Sequence, residues 1–82
     1  MARVVSISAR VKEMTGGLGA FDVEAASVRR LIAELDTRYP GLGAHVEANM
    51  AIAIDGEIHQ DALSAQIAPN AEIVLIPKLS GG

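Results

Sequence analysis

The segment of this sequence with the clearest chemical capacity is its C-terminal pair, Gly81 and Gly82. Without a Cβ, such an end can thread a narrow channel and adopt backbone angles closed to other residues. It presents a carboxylate, whose negative charge resists nucleophiles, so acyl chemistry there requires prior activation. A Gly-Gly end by itself is usually a frayed terminus, so the residues before it decide its meaning. Glu72 to Ile76 is a run rich in β-branched residues and Leu, as expected of a central strand. Pro77 ends its capacity to donate ladder bonds, and Lys78, Leu79 and Ser80 form a spacer. Extended, the residues after Pro77 reach at most about 16–18 Å.

Other candidates for chemistry are weaker. Gly16, Gly17 and Gly19 faintly suggest a phosphate-binding loop, but no helix opens at once after them and no Lys-Ser/Thr pair follows. A turn between strands is expected there. His45 and His59 fall in different elements without further ligands at suitable spacing, so surface or edge positions are expected and no metal site. Ser6, Ser8 and Ser80 have no partner base in a recognisable arrangement, so no catalytic residue is assigned. Cysteine is absent, which excludes a disulfide framework, a thiolate metal site and a cysteine nucleophile.

The chain has 82 residues, enough for one core, and half of them are apolar. Phe21 and Tyr39 are its only aromatic residues, so Val, Ile, Leu and Ala must build that core. Ten acids against seven bases give a net charge of −3. The bases, Arg3, Arg10, Lys12, Arg29, Arg30, Arg38 and Lys78, form no stripe, so nucleic-acid binding is not expected. The mild acidity favours solubility and, weakly, a basic partner. No apolar run has signal-peptide length, and none approaches the roughly 20 residues that span a bilayer, so a cytoplasmic location without membrane attachment is expected.

The elements that must position the tail follow from periodicity. Arg3 to Arg10 alternate, with Val5, Ile7 and Ala9 on one face and Ser6 and Ser8 on the other, which predicts a strand. Thr15 to Gly19 is a turn. Ala20 to Glu24 alternate with Phe21 and Val23 inward, completing a hairpin. Ser27 is an N-cap for a helix whose stripe is Val28, Leu31, Ile32, Leu35 and Tyr39, with Arg30, Glu34 and Arg38 opposite. Pro40 and Gly41 stop it. Gly41 to Asn49 reads as loop with at most a helical turn. Met50, Ile52 and Ile54 alternate with alanines as a third strand, and Asp55-Gly56 turns into a short strand at Glu57 to His59. One helical turn fits Asp61 to Ile67. The order β-β-α-β-β-β, one amphipathic helix against one face of a mixed sheet, predicts an α+β, β-grasp fold of four to five strands. The expected division is a β-grasp domain over 1–77 and a flexible tail over 78–82.

That element order, the segment Arg38-Tyr39-Pro40-Gly41-Leu42 and the ending from Ile73 to Gly82 resemble the MoaD/ThiS family of ubiquitin-like sulfur-carrier proteins. The resemblance covers the whole chain and is greatest to the molybdopterin synthase small subunit. The chain departs from that branch at Ser8 and Ile76, where members often carry aromatic residues. The resemblance implies a carrier rather than an enzyme. An E1-like adenylating enzyme, using ATP and Mg²⁺, activates the carboxylate of Gly82. Sulfur then displaces AMP to leave a thiocarboxylate, while Gly81, Ser80, Leu79 and Lys78 thread the partner's active site. No cofactor is bound by the chain itself. The implied acceptor is an enzyme such as the molybdopterin synthase large subunit, in molybdenum cofactor biosynthesis. Sulfur delivery to thiamine or cysteine biosynthesis, or a ubiquitin-like modifier forming isopeptide bonds, remain open. With Ile73 and Leu75 inward, Val74 and Ile76 point outward, and Ile58 and Ser8 are expected to share that face as a partner-docking surface.

Overall fold

The computed structural model describes residues 1–59 and 63–78. Five strands, β1 (Ala2–Ser6), β2 (Ala20–Val23), β3 (Met50–Ile54), β4 (Glu57–His59) and β5 (Glu72–Pro77), form one mixed sheet in the order β2-β1-β5-β3-β4. β1 and β5 are parallel neighbours at its centre, and the other pairings are antiparallel. This is the ubiquitin-like β-grasp arrangement. The main helix, α2 (Val28–Arg38), lays Val28, Leu31 and Leu35 on the inner sheet face against Val4, Ile52, Ile73 and Leu75.

α2 begins where its cap is. The Ser27 hydroxyl accepts the Arg30 N–H at 3.3 Å, and an exposed Glu34–Arg38 pair at 3.7 Å spans the last turn. Tyr39 closes the helix before Pro40 and packs edge-on against Phe21, ring centroids 5.8 Å apart. Arg38 also reaches the edge strand, donating to the Asp22 carbonyl at 2.8 Å.

Two helices appear where the periodicity predicts a strand with a turn and a loop with at most one helical turn. β1 stops at Ser6, and Ser8 caps α1 (Ala9–Met14), its hydroxyl accepting the Val11 N–H at 3.5 Å. Ala, Arg, Lys, Glu and Met are good helix formers, and Val11 anchors the turn in the core at zero exposure. β1 and β2 are therefore joined by a helix and a turn rather than by a tight hairpin. The inward residues of β1 are Ala2, Val4 and Ser6, which corrects the face assigned to Ser6. Its buried hydroxyl is satisfied, donating to the Leu75 carbonyl at 3.3 Å and accepting the Ser8 N–H at 3.2 Å.

The stretch after Gly41 is α3 (Leu42–Asn49), burying Leu42 and Val46. Gly41 has no side chain with which to cap it. Asp36, on α2, supplies the missing acceptor: its Oδ1 takes the N–H groups of Gly41 at 3.2 Å and Ala44 at 3.4 Å. A cap borrowed from another helix leaves no local N-cap signal. After β4, Leu63 and Ser64 form a turn, and the helical turn expected over Asp61–Ile67 falls partly outside the described residues. The connector hangs on the start of α2, with Val28 N–H bonded to Ala65 O and Arg29 N–H to Leu63 O.

Two substitutions test this packing. Leu35→Ala removes a fully buried side chain and should lower stability by about 2–5 kcal/mol. Replacing an interior helical glycine by alanine normally gains up to about 1 kcal/mol. At Gly43 a Cβ would lie 2.5 Å from the Ile32 carbonyl oxygen and 2.7 Å from Asp36 Cβ. Gly43→Ala should therefore destabilise, by about 1–3 kcal/mol, because backbone must move. Urea melts showing Gly43→Ala neutral or stabilising would contradict this close α2–α3 approach.

Candidate functional site

β5 carries the chain to its C-terminus through the middle of the sheet. Pro77, which has no N–H to donate, is opposite Met50, and the Lys78 N–H then donates to the Asn49 carbonyl at 2.9 Å. The chain is thus held to the sheet as far as Lys78. Leu79, Ser80, Gly81 and Gly82 lie outside the described residues.

The outer sheet face, away from α2, follows from strand alternation. Ile73 and Leu75 are buried in the core, while Val74 and Ile76 point the other way and are half-buried. The pairing register sets Ala20, Val5, Val74, Ala53 and Ile58 in one row across all five strands. Ala51 and Ile76 are paired in the next row toward the exit of β5. Ile58 is 61% exposed, and Ile7, one residue past β1, is 86% exposed. At the opposite end Asp22, Arg3 and Glu72 are lateral neighbours. Asp55 adjoins them, its Oδ1 accepting the Glu72 N–H at 2.9 Å. The face therefore changes from charged at the Glu72 row to apolar at the Val74 and Ile76 rows, before Lys78.

Val74, Ile76 and Ile58 share this face. Ser8 does not join them, because β1 ends two residues before it and its hydroxyl is engaged in capping α1. Val5, Ala51 and Ala53 complete the face and were not singled out as site residues. Alternation in Met50–Ile54 carried the signal for the two alanines, whereas the strand parity set by Ser6 hid Val5.

Nothing else in the described residues gathers catalytic groups. His45 contacts Asn49 at 3.3 Å, and His59 borders a small apolar cavity with Val28, Ile32, Val46 and Leu63. Among the described residues no three His, Asp or Glu side chains converge as a metal site would require, and no helix is long and apolar enough to cross a membrane. Gly16 and Gly17, both at positive φ, turn the chain between α1 and β2.

The ThiS family model matches residues 5–82. No curated protein sequence matches the chain. Solved structures share its fold. A chain of the Amycolatopsis orientalis BexX/CysO complex superposes with a TM-score of 0.82 at 20% identity, covering 100% of both chains. Molybdopterin converting factor subunit 1 of Pyrococcus furiosus gives 0.76 at 18% identity over 95% of this chain and 97% of the other. Small archaeal modifier protein 1 of Methanosarcina acetivorans gives 0.77 at 21% identity, over 99% and 95%.

The two faces of β5 make a sharp contrast testable by circular dichroism. Leu75→Asp places a charge in the core and should unfold the domain. Ile76→Asp, one residue away on the outer face, should leave the fold intact. The opposite outcome would mean that β5 is inside out.

Proposed function

The chain belongs to the ThiS family, among ubiquitin-like sulfur carriers and modifiers, and from that premise we propose that it carries sulfur as a thiocarboxylate on Gly82. The supporting observation is continuity: β5 runs out of the sheet centre into Lys78, and the family match extends without interruption through Gly82. In the proposed cycle the Gly82 carboxylate attacks the α-phosphorus of ATP and pyrophosphate leaves. The resulting acyl adenylate is attacked at its carbonyl carbon by sulfide, and AMP departs to leave the thiocarboxylate. The thiocarboxylate sulfur then attacks an electrophilic carbon of an acceptor and displaces its leaving group, and water hydrolyses the resulting thioester, leaving the sulfur on the acceptor and restoring the carboxylate.

ATP and Mg²⁺ belong to the E1-like adenylating partner, and the chain is its substrate rather than an enzyme. Residues 78–82 act as the tail, with Lys78, Leu79, Ser80 and Gly81 threading the partner's active site. The folded domain supplies the docking surface, for which Ile58, Val74 and Ile76 are proposed. An outer face apolar beside the tail's exit suits this role, since one surface engages the partner while the tail enters its active site.

As the receiving pathway we propose molybdopterin biosynthesis, with the molybdopterin synthase large subunit as acceptor. The likeness to a molybdopterin converting factor subunit supports it. The likeness to a small archaeal modifier protein favours a second use of the same adenylate, isopeptide formation with a lysine amine. The CysO likeness favours sulfur delivery to another pathway, such as cysteine or thiamine synthesis.

Incubation with an E1-like enzyme, ATP and a sulfur donor should raise the intact mass by the difference between sulfur and oxygen. Deleting Gly82, or appending a residue after it, should abolish that gain and leave the denaturation midpoint unchanged, because the described core extends no further along the chain than Leu75. An unmodified mass with several such enzymes would overturn the carrier function. Isopeptide-linked products without any thiocarboxylate would favour the modifier.

A further inference from the structure

The outer face is shaped as well as apolar. β3 contributes only Ala51 and Ala53 to it, at 5% and 6% exposure, although neither belongs to the core cluster beneath α2. An outward alanine so little exposed lies on a floor overhung by its neighbours. Those neighbours are Val74 and Ile76 on β5 and Ile58 on β4, which face each other across β3. Two strand spacings separate the flanking strands by about 10 Å, which admits one aromatic ring or branched aliphatic side chain. Glu72 and Asp55 lie at one end of the trough, and the row they form with Arg3 and Asp22 crosses the sheet there with three acids against one base.

We propose that this trough receives one large apolar side chain projecting from the E1-like partner, with basic residues of that partner meeting the acidic row. The proposal rests on the carrier function above and adds the partner's shape and charge. Charge complementarity decides among occupants. A second copy would bring its own three-acid row, set either against the first copy's row or over its apolar residues. Both arrangements desolvate carboxylates without partners, and each copy carries a net charge of −3. A partner with a basic rim pairs the same carboxylates and gains association rate.

Binding of the full chain to the E1-like adenylating enzyme that thiocarboxylates it tests the idea, because filling the trough enlarges its apolar area while removing its shape. Ala53→Leu should weaken binding about tenfold or more, as blocking a central pocket does. Ala51→Leu, one outward position along β3, should act in the same direction and serves if the first variant has an altered melting profile. The double variant Asp22→Lys, Glu72→Lys should slow association severalfold at low salt, with the difference vanishing at high salt. The free chain should sediment as a monomer.

Unchanged or tighter binding by both leucine variants, while the parent is still thiocarboxylated, would overturn the trough and leave the carrier function standing. A dimer that Ala53→Leu disrupts would overturn it in favour of self-association. Faster association by the charge-reversed variant would overturn the basic rim. Failure of the parent chain both to bind and to be thiocarboxylated would bring down the carrier function and this proposal together.

Discussion

The parallel pairing of β1 with β5 is the constraint on which the rest of this structure depends. Parallel neighbours cannot be joined by a tight turn, so everything between Ile7 and Ala71 is in effect one long crossover. That crossover must cover the inner face of the central strands, and α2 does so with Val28, Leu31 and Leu35. It must also extend the sheet on both sides, which β2 does beside β1, and β3 with β4 beside β5. The buried hydroxyl of Ser6 sits at this seam, bonded to Leu75 across it. A polar residue is tolerated there because its one donor has a carbonyl to meet.

Once both faces of β5 are considered, the division of labour between them is plain. Ile73 and Leu75 belong to folding, and they are sealed. Val74 and Ile76 face outward in a chain that has few other apolar side chains to spare for its surface. Small residues on β3 lower the middle of that outer face and leave Ile58 standing at its edge. The domain therefore presents a contoured surface beside the end from which its tail departs.

Most of the sheet and the whole of α2 were legible in the sequence because their signals are local. Ser27 caps α2, Pro40 follows it, and the alternation of Met50–Ile54 and Glu72–Pro77 gives the faces directly. What was not legible depends on contacts between distant residues. α3 takes its cap from Asp36 on another helix, so Gly41 read as a loop. Ser6 read as solvent-facing because its acceptor, the Leu75 carbonyl, is 69 residues away. That inversion, with the strand carried past Ser6, placed Ser8 on the outer sheet face, when its hydroxyl starts a helix. The Gly81-Gly82 end is a feature of composition and of the family resemblance, and it lies outside the described residues.

A central strand that follows the other four described strands also sets the order in which the sheet can assemble. As synthesis proceeds, β1, β2, β3 and β4 all emerge before β5, yet two separate strand pairs cannot become one sheet until β5 fills the gap between them. Their apolar inner faces have no complete core to join during that interval. Closure rests on contacts spanning nearly the whole chain, the class that raises contact order and slows folding. The sheet thus closes only once residues 72–77 are available. A ribosome that stops before residue 72 releases a chain without its central strand, and its two strand pairs stay apart with half a core each.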